Sequence, residues 1–121
     1  MNASEIFDPA VYARLSSELG GADVAEMLKG FLADTQGKLD RLGANPLDRD
    51  MTKREAHAMK CSAATFGFLE MSLIAWELDA TAKDMEPAEF SRATEDLNRS
   101  FARVRNLSRE ILSTQNEGAP L

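Results

Sequence analysis

The stretch Ala56-His57-Ala58-Met59-Lys60-Cys61-Ser62-Ala63-Ala64-Thr65-Phe66-Gly67-Phe68 contains the only histidine of the 121-residue chain. Carried back to Asp50, its apolar positions recur three and four apart: Thr52, Ala56, Met59, Ala63 and Phe66. That rhythm predicts a helix over about 50–66, ended by Gly67. Lys53, Arg54, His57, Lys60, Cys61 and Ala64 fall to the side of that stripe. Residues three and four apart on a helix share a face, so the imidazole, the Lys60 ammonium and the Cys61 thiol project together. Such a face is suited to holding an anion.

The same rhythm extends along the chain in both directions. Asp8 can cap, and Pro9 fits the first position of, a short helix over about 9–19 that carries Val11/Tyr12, Leu15 and Leu19, with Gly20-Gly21 as its stop. A second helix over about 23–42 places Val24, Met27/Leu28, Phe31/Leu32, Thr35, Leu39 and Leu42 inward, and Gly43 and Ala44-Asn45-Pro46 break it. After Gly67 a helix over about 68–84 shows two apolar rows, Leu69/Leu73/Trp76/Ala80 and Met71/Ala75/Leu78/Ala82, and is expected to be buried on a wide arc. Pro87 opens the longest helix, over about 87–113, with Phe90, Ala93, Leu97, Phe101, Val104, Leu107 and Ile111 on one face. Residues 116–121 form a loose tail. Trp76, Phe66 and Phe101 are assigned to the core.

With no alternating β pattern or repeat, the expected fold is all-α. It is a single domain over 1–121, an antiparallel four-helix bundle with a short additional N-terminal helix packed over one end. The bundle closes its own core, so a monomer is expected.

Charge and composition restrict the function. A formal charge of −6 disfavours nucleic acid and anionic lipid as partners, since phosphate surfaces are met by basic patches. No stretch is long and apolar enough to span a membrane. A single cysteine makes no internal disulfide, which points to a reducing compartment and a cytoplasmic location. No glycine-rich nucleotide loop is present. His57 and Cys61 supply only half of a tetrahedral metal set, with no other Cys or His to complete it, so no metal and no cofactor are expected on this chain. A Cys-His catalytic pair lacks an orienting third group and an oxyanion hole. The remaining chemistry is a neutral imidazole with a nucleophilic nitrogen, beside Lys60 and Arg54 that can neutralise an attached phosphoryl group.

This stretch resembles the signature of the histidine phosphotransfer (HPt) domains: an alanine-histidine pair, lysine three later, a run of small residues, and glycine ten after the histidine. Its Thr65-Phe66-Gly67-Phe68 end is similar to the phosphotransfer domains of chemotaxis kinases. Phe7-Asp8-Pro9, Phe31-Leu32 and Leu78-Asp79 extend the resemblance over about residues 6–112. The resemblance implies a helical bundle and a phosphorelay carrier. His57 would be phosphorylated, Lys60 would stabilise the phosphoryl group, and Asp79 would orient the imidazole. The implied partners are receiver domains of response regulators and a hybrid sensor histidine kinase, with a divalent cation held by the receiver. HPt domains meet receivers through an apolar surface around the histidine, for which Met51, Arg54, Ala58, Cys61, Ala64 and Phe68 are the candidates here. Cys61 departs from the family, which usually has glycine after the lysine. The added bulk is open to three readings: tolerated, selective for one receiver, or the mark of a domain that docks but transfers poorly. The alternative function is a non-catalytic helical adaptor or inhibitor that docks a receiver or kinase without phosphotransfer.

Overall fold

The computed structural model describes residues 6–45 and 47–117. The α-helices are α1 (Pro9–Leu19), α2 (Gly21–Ala44), α3 (Arg49–Phe66), α4 (Leu69–Thr81) and α5 (Pro87–Glu117), with a single 3-10 turn at Ala82–Asp84. Helices α2, α3, α4 and α5 pack each on the next and α5 returns to α2, which closes a four-helix bundle; α1 lies across α2 and α3. Among the described residues there is no strand, and no helix is long and apolar enough to cross a membrane.

Capping explains where the helices begin. The Asp8 carboxylate accepts from the Ala10 amide at 3.0 Å ahead of Pro9, and the Asp48 carboxylate accepts from the Met51 amide at 3.0 Å ahead of α3. Gly20, at φ 93°, is the whole link between α1 and α2. Gly67, at φ 88°, ends α3 in the left-handed conformation that glycine reaches without steric cost. A side chain there would also collide, because a β-carbon would sit 2.6 Å from the Asp8 carbonyl oxygen and 3.1 Å from Val11 Cβ. The Asp8 amide donates to the Gly67 carbonyl at 2.9 Å, so the segment just ahead of α1 is fastened to the α3–α4 turn. Phe7, Phe31, Phe66 and Phe68 gather beneath that turn, with Phe31 stacked on Phe68 at 5.7 Å between ring centres.

Several boundaries differ from the sequence reading. Helix α2 starts at Gly21 and runs through Gly43 to Ala44, because a glycine inside a helix only weakens it, by about 1 kcal/mol. The helix expected over 68–84 is α-helical only to Thr81 and tightens to the 3-10 turn. Helix α5 continues to Glu117, past Asn116 where the loose tail was expected to begin; the rest of that tail, and Pro46, lie outside the described residues.

The larger correction concerns burial. Of the two apolar rows on α4, Met71, Ala75 and Leu78 are in the core, whereas Leu69, Leu73 and Trp76 are 41%, 57% and 54% exposed. Packed between α3 and α5, α4 offers the bundle one side only, so the second row faces outward. Trp76 is therefore not a core residue, and Met27 of α2 is likewise exposed, whereas Phe66 and Phe101 are buried.

Candidate functional site

Helix α3 carries the site and α4 completes it. The two are the most closely packed pair in the molecule, and their antiparallel register is fixed at two points. The Ser72 hydroxyl donates to the Lys60 carbonyl at 3.0 Å, and Asp79 meets His57. His57, off the buried stripe, is 62% exposed at its side chain, while Asp79 is 14% exposed beside it.

Asp79 is the hub. Its Oδ2 lies 3.2 Å from His57 Nδ1 and accepts from Lys60 Nζ at 3.3 Å, and its Oδ1 accepts from Lys53 Nζ at 3.0 Å. Lys53 also donates to the Asp79 main-chain carbonyl at 2.9 Å, placing a cation at the C-terminal end of α4, where the helix dipole favours one. The hydrogen bond from Lys53 is the main reason that the Asp79 carboxyl is held at about 2, below its ordinary 3.8; burial opposes this, and the contacts with His57 and Lys60 reinforce it. Asp79 is thus ionised at neutral pH and can only accept hydrogen bonds. The ring nitrogen facing it must carry the hydrogen, so the neutral imidazole is the Nδ1–H tautomer. Its Nε2 is left with a free lone pair on an exposed side chain, which is what a nucleophile requires.

Asp50, Lys53, Arg54, His57, Asp79 and Lys83 line a shallow cleft at this point. Its lining sets three cations against two carboxylates, on a chain of net charge −6. His57, Lys60 and Asp79, singled out from the sequence, come together. Lys53 is the residue the sequence reading left out of the site, although its position one turn before His57 was the available signal. The expected docking residues divide. Arg54, Cys61 and Ala64 are exposed and Ala58 is half-buried on the helix that bears His57. Met51 and Phe68 are corrections: Met51 is 9% exposed and Phe68 wholly buried in the aromatic cluster, so neither can meet a partner. Phe68 follows a left-handed glycine, and that turn sends its ring inward. Among the described residues no group of His, Cys, Asp and Glu could hold a metal ion.

Comparison with known proteins identifies one family. The Hpt domain model matches residues 26–107. Among solved structures, histidine-containing phosphotransfer protein B (HptB) from Pseudomonas aeruginosa PAO1 is similar with a TM-score of 0.83 and 23% identity, over 90% of this chain and 96% of that one. A rice protein described as a histidine-containing phosphotransfer protein is similar with a TM-score of 0.80 and 16% identity, over 93% of this chain and 83% of that one. At these identities the likeness is one of fold. No curated protein sequence matches the chain.

Proposed function

The chain belongs to the Hpt domain family, whose function is histidine phosphotransfer in phosphorelays, and on that premise we propose that His57 is the residue that carries the phosphoryl group, on Nε2. The observation that carries this assignment is the contact of Asp79 with Nδ1, which leaves Nε2 as the free nucleophile. In transfer from a receiver, the Nε2 lone pair attacks the phosphorus of an aspartyl phosphate, an N–P bond forms, and the acyl O–P bond breaks to release the aspartate carboxylate. Substitution at Nε2 with the hydrogen kept at Nδ1 makes the ring cationic, and the adjacent Asp79 carboxylate stabilises it without taking that proton. The return transfer reverses each step.

The two lysines take different parts. Lys60, with a side chain 24% exposed, reaches the same Asp79 oxygen as His57 and is the cation free to turn toward the phosphoryl oxygens. Lys53, tied to both the carbonyl and the carboxylate of Asp79, keeps the acceptor in place when Lys60 leaves. The chain has no glycine-rich nucleotide loop, so the phosphoryl group comes from a partner: a receiver domain, or a hybrid sensor histidine kinase, with the divalent cation held by the receiver. We read it as a cytoplasmic monomer, supported by a core that closes within one chain.

The test is transfer of labelled phosphate from a phosphorylated receiver domain to the wild type and to His57→Gln. Label found only on the wild type, lost in acid and kept in alkali, is the expected result. Receiver binding with no label on the wild type would overturn the assignment in favour of an adaptor.

A further inference from the structure

The 3-10 turn Ala82–Asp84 brings Lys83, far from His57 in the chain, to the cleft that His57 lines. Lys83 is exposed, yet its backbone is anchored on both sides. Ala82 before it is 1% exposed, and Met85, two residues on, is buried and gives its carbonyl to the Arg49 guanidinium at 2.8 Å. The ammonium thus sits on a fixed base one turn beyond Asp79, opposite the first turns of α3, whereas Lys60 lies on the other side of His57 along that helix.

Two carboxylates line the cleft as well as three cations, and their pairing decides what it can hold. Asp79 is shared by Lys53 and Lys60, which leaves one positive charge in excess. Asp50 stands against Arg54 and Lys83, which leaves a second. Asp50 also lies in the first turn of α3, where the helix dipole already favours an anion. The ion pairs at the cleft converge on Asp79, and among the described residues Arg54 and Lys83 form none. A side chain on a helix covers the turn N-terminal to its own Cα, so the His57 ring leans over Lys53 and Arg54, toward the end of the cleft where Lys83 lies. With Nδ1 held against Asp79, a group on Nε2 stands in that end of the cleft.

We propose that Lys83 is a second cation for the phosphoryl group: with phosphorus bound to Nε2, the Lys83 ammonium donates to a phosphoryl oxygen from the side opposite Lys60. This rests on the phosphocarrier reading and deepens it by adding a residue that touches the reacting group. A phosphoryl group carries more than one negative charge at neutral pH, and Lys60 supplies a single positive one. Lys83 makes and breaks no covalent bond; it neutralises charge that develops on the oxygens while phosphorus passes to or from Nε2.

The experiment labels the full chain with phosphoramidate, a small donor that needs no partner, and follows the phosphoryl resonance by phosphorus NMR as pH is varied. Lys83→Met, Lys83→Arg and Lys29→Met are compared with the wild type, with circular dichroism as a check on folding. Lys29 is an exposed lysine of α2, a helix that lines no part of the cleft. A cation in contact keeps the phosphoryl group in its dianionic form to lower pH. The titration midpoint should therefore rise by about half a unit in Lys83→Met, fall back in Lys83→Arg and stay in place in Lys29→Met. The labelling rate of Lys83→Met should drop by about two- to fivefold, the range of an exposed ion pair. A midpoint in Lys83→Met equal to that of the wild type overturns the proposal whatever the rate does. So does an equal shift in Lys29→Met, which makes the effect one of net charge, or a Lys83→Arg midpoint no lower than that of Lys83→Met. Failure of phosphoramidate and of every receiver to label His57 in the wild type is a different result: it removes the phosphocarrier reading, and the role of Lys83 falls with it.

Discussion

In the proposed carrier, Asp79 acts on His57 through a charge that Lys53 secures more than any other group. Replacing Lys53 with methionine should therefore raise the Asp79 carboxyl from about 2 toward its ordinary 3.8, and by more than Lys60→Met does; carbon-detected NMR titration of the carboxylate checks the order. A carboxyl lowered on folding stabilises the fold above its unfolded value, near 3.8, and that contribution is lost as pH falls through about 2. The stability gap between wild type and Asp79→Asn should accordingly be full at pH 5 and narrow toward pH 2 in denaturant titrations. The same substitution replaces a charged hydrogen-bond acceptor worth about 1.5–3 kcal/mol, so phosphotransfer should slow by about ten- to a hundredfold. His57, Lys60 and Asp79 were legible in the sequence, the first two from their spacing and the third through family resemblance. Lys53 was not, since helical spacing shows it near His57 but cannot show that its ammonium reaches across to the next helix.

Helix α4 is the element whose reading went furthest astray, and the reason is physical. Two apolar rows on one helix state how much surface it could bury, but only its neighbours decide how much is covered, and α4 has α3 and α5 on one side alone. Its one buried carboxylate was equally hidden. Glu70, 5% exposed at its side chain, pairs with Arg103 of α5 at 2.7 Å, a contact between residues far apart in the chain. The turn that opens α4 is, by contrast, legible in Gly67. Gly67→Ala must hold a side chain at φ 88° and against the Asp8 carbonyl, so it should destabilise the fold by about 2 kcal/mol or more, read as a lowered thermal midpoint. Helix identity and order followed from periodicity and caps, and only the ends shifted, where 3-10 tightening and tolerated glycines leave little trace in a hydrophobic pattern.

At the scale of the molecule, the ring of four helices separates neighbours in sequence into opposite environments. Phe68 is wholly buried and Leu69, the next residue, is 41% exposed. Phe68→Asp should cost about 4 kcal/mol or more and abolish cooperative unfolding, whereas Leu69→Asp should stay within about 0.5 kcal/mol of wild type in the same urea titration. The fastening of Asp8 to Gly67 has a consequence of another kind. It joins the segment just ahead of α1 to the tip of the helical hairpin that bears His57, so a pull on that segment acts on the turn between α3 and α4. A mechanical load or a fused domain ahead of Asp8 would reach the imidazole along the ten residues that separate Gly67 from His57, about three turns of α3.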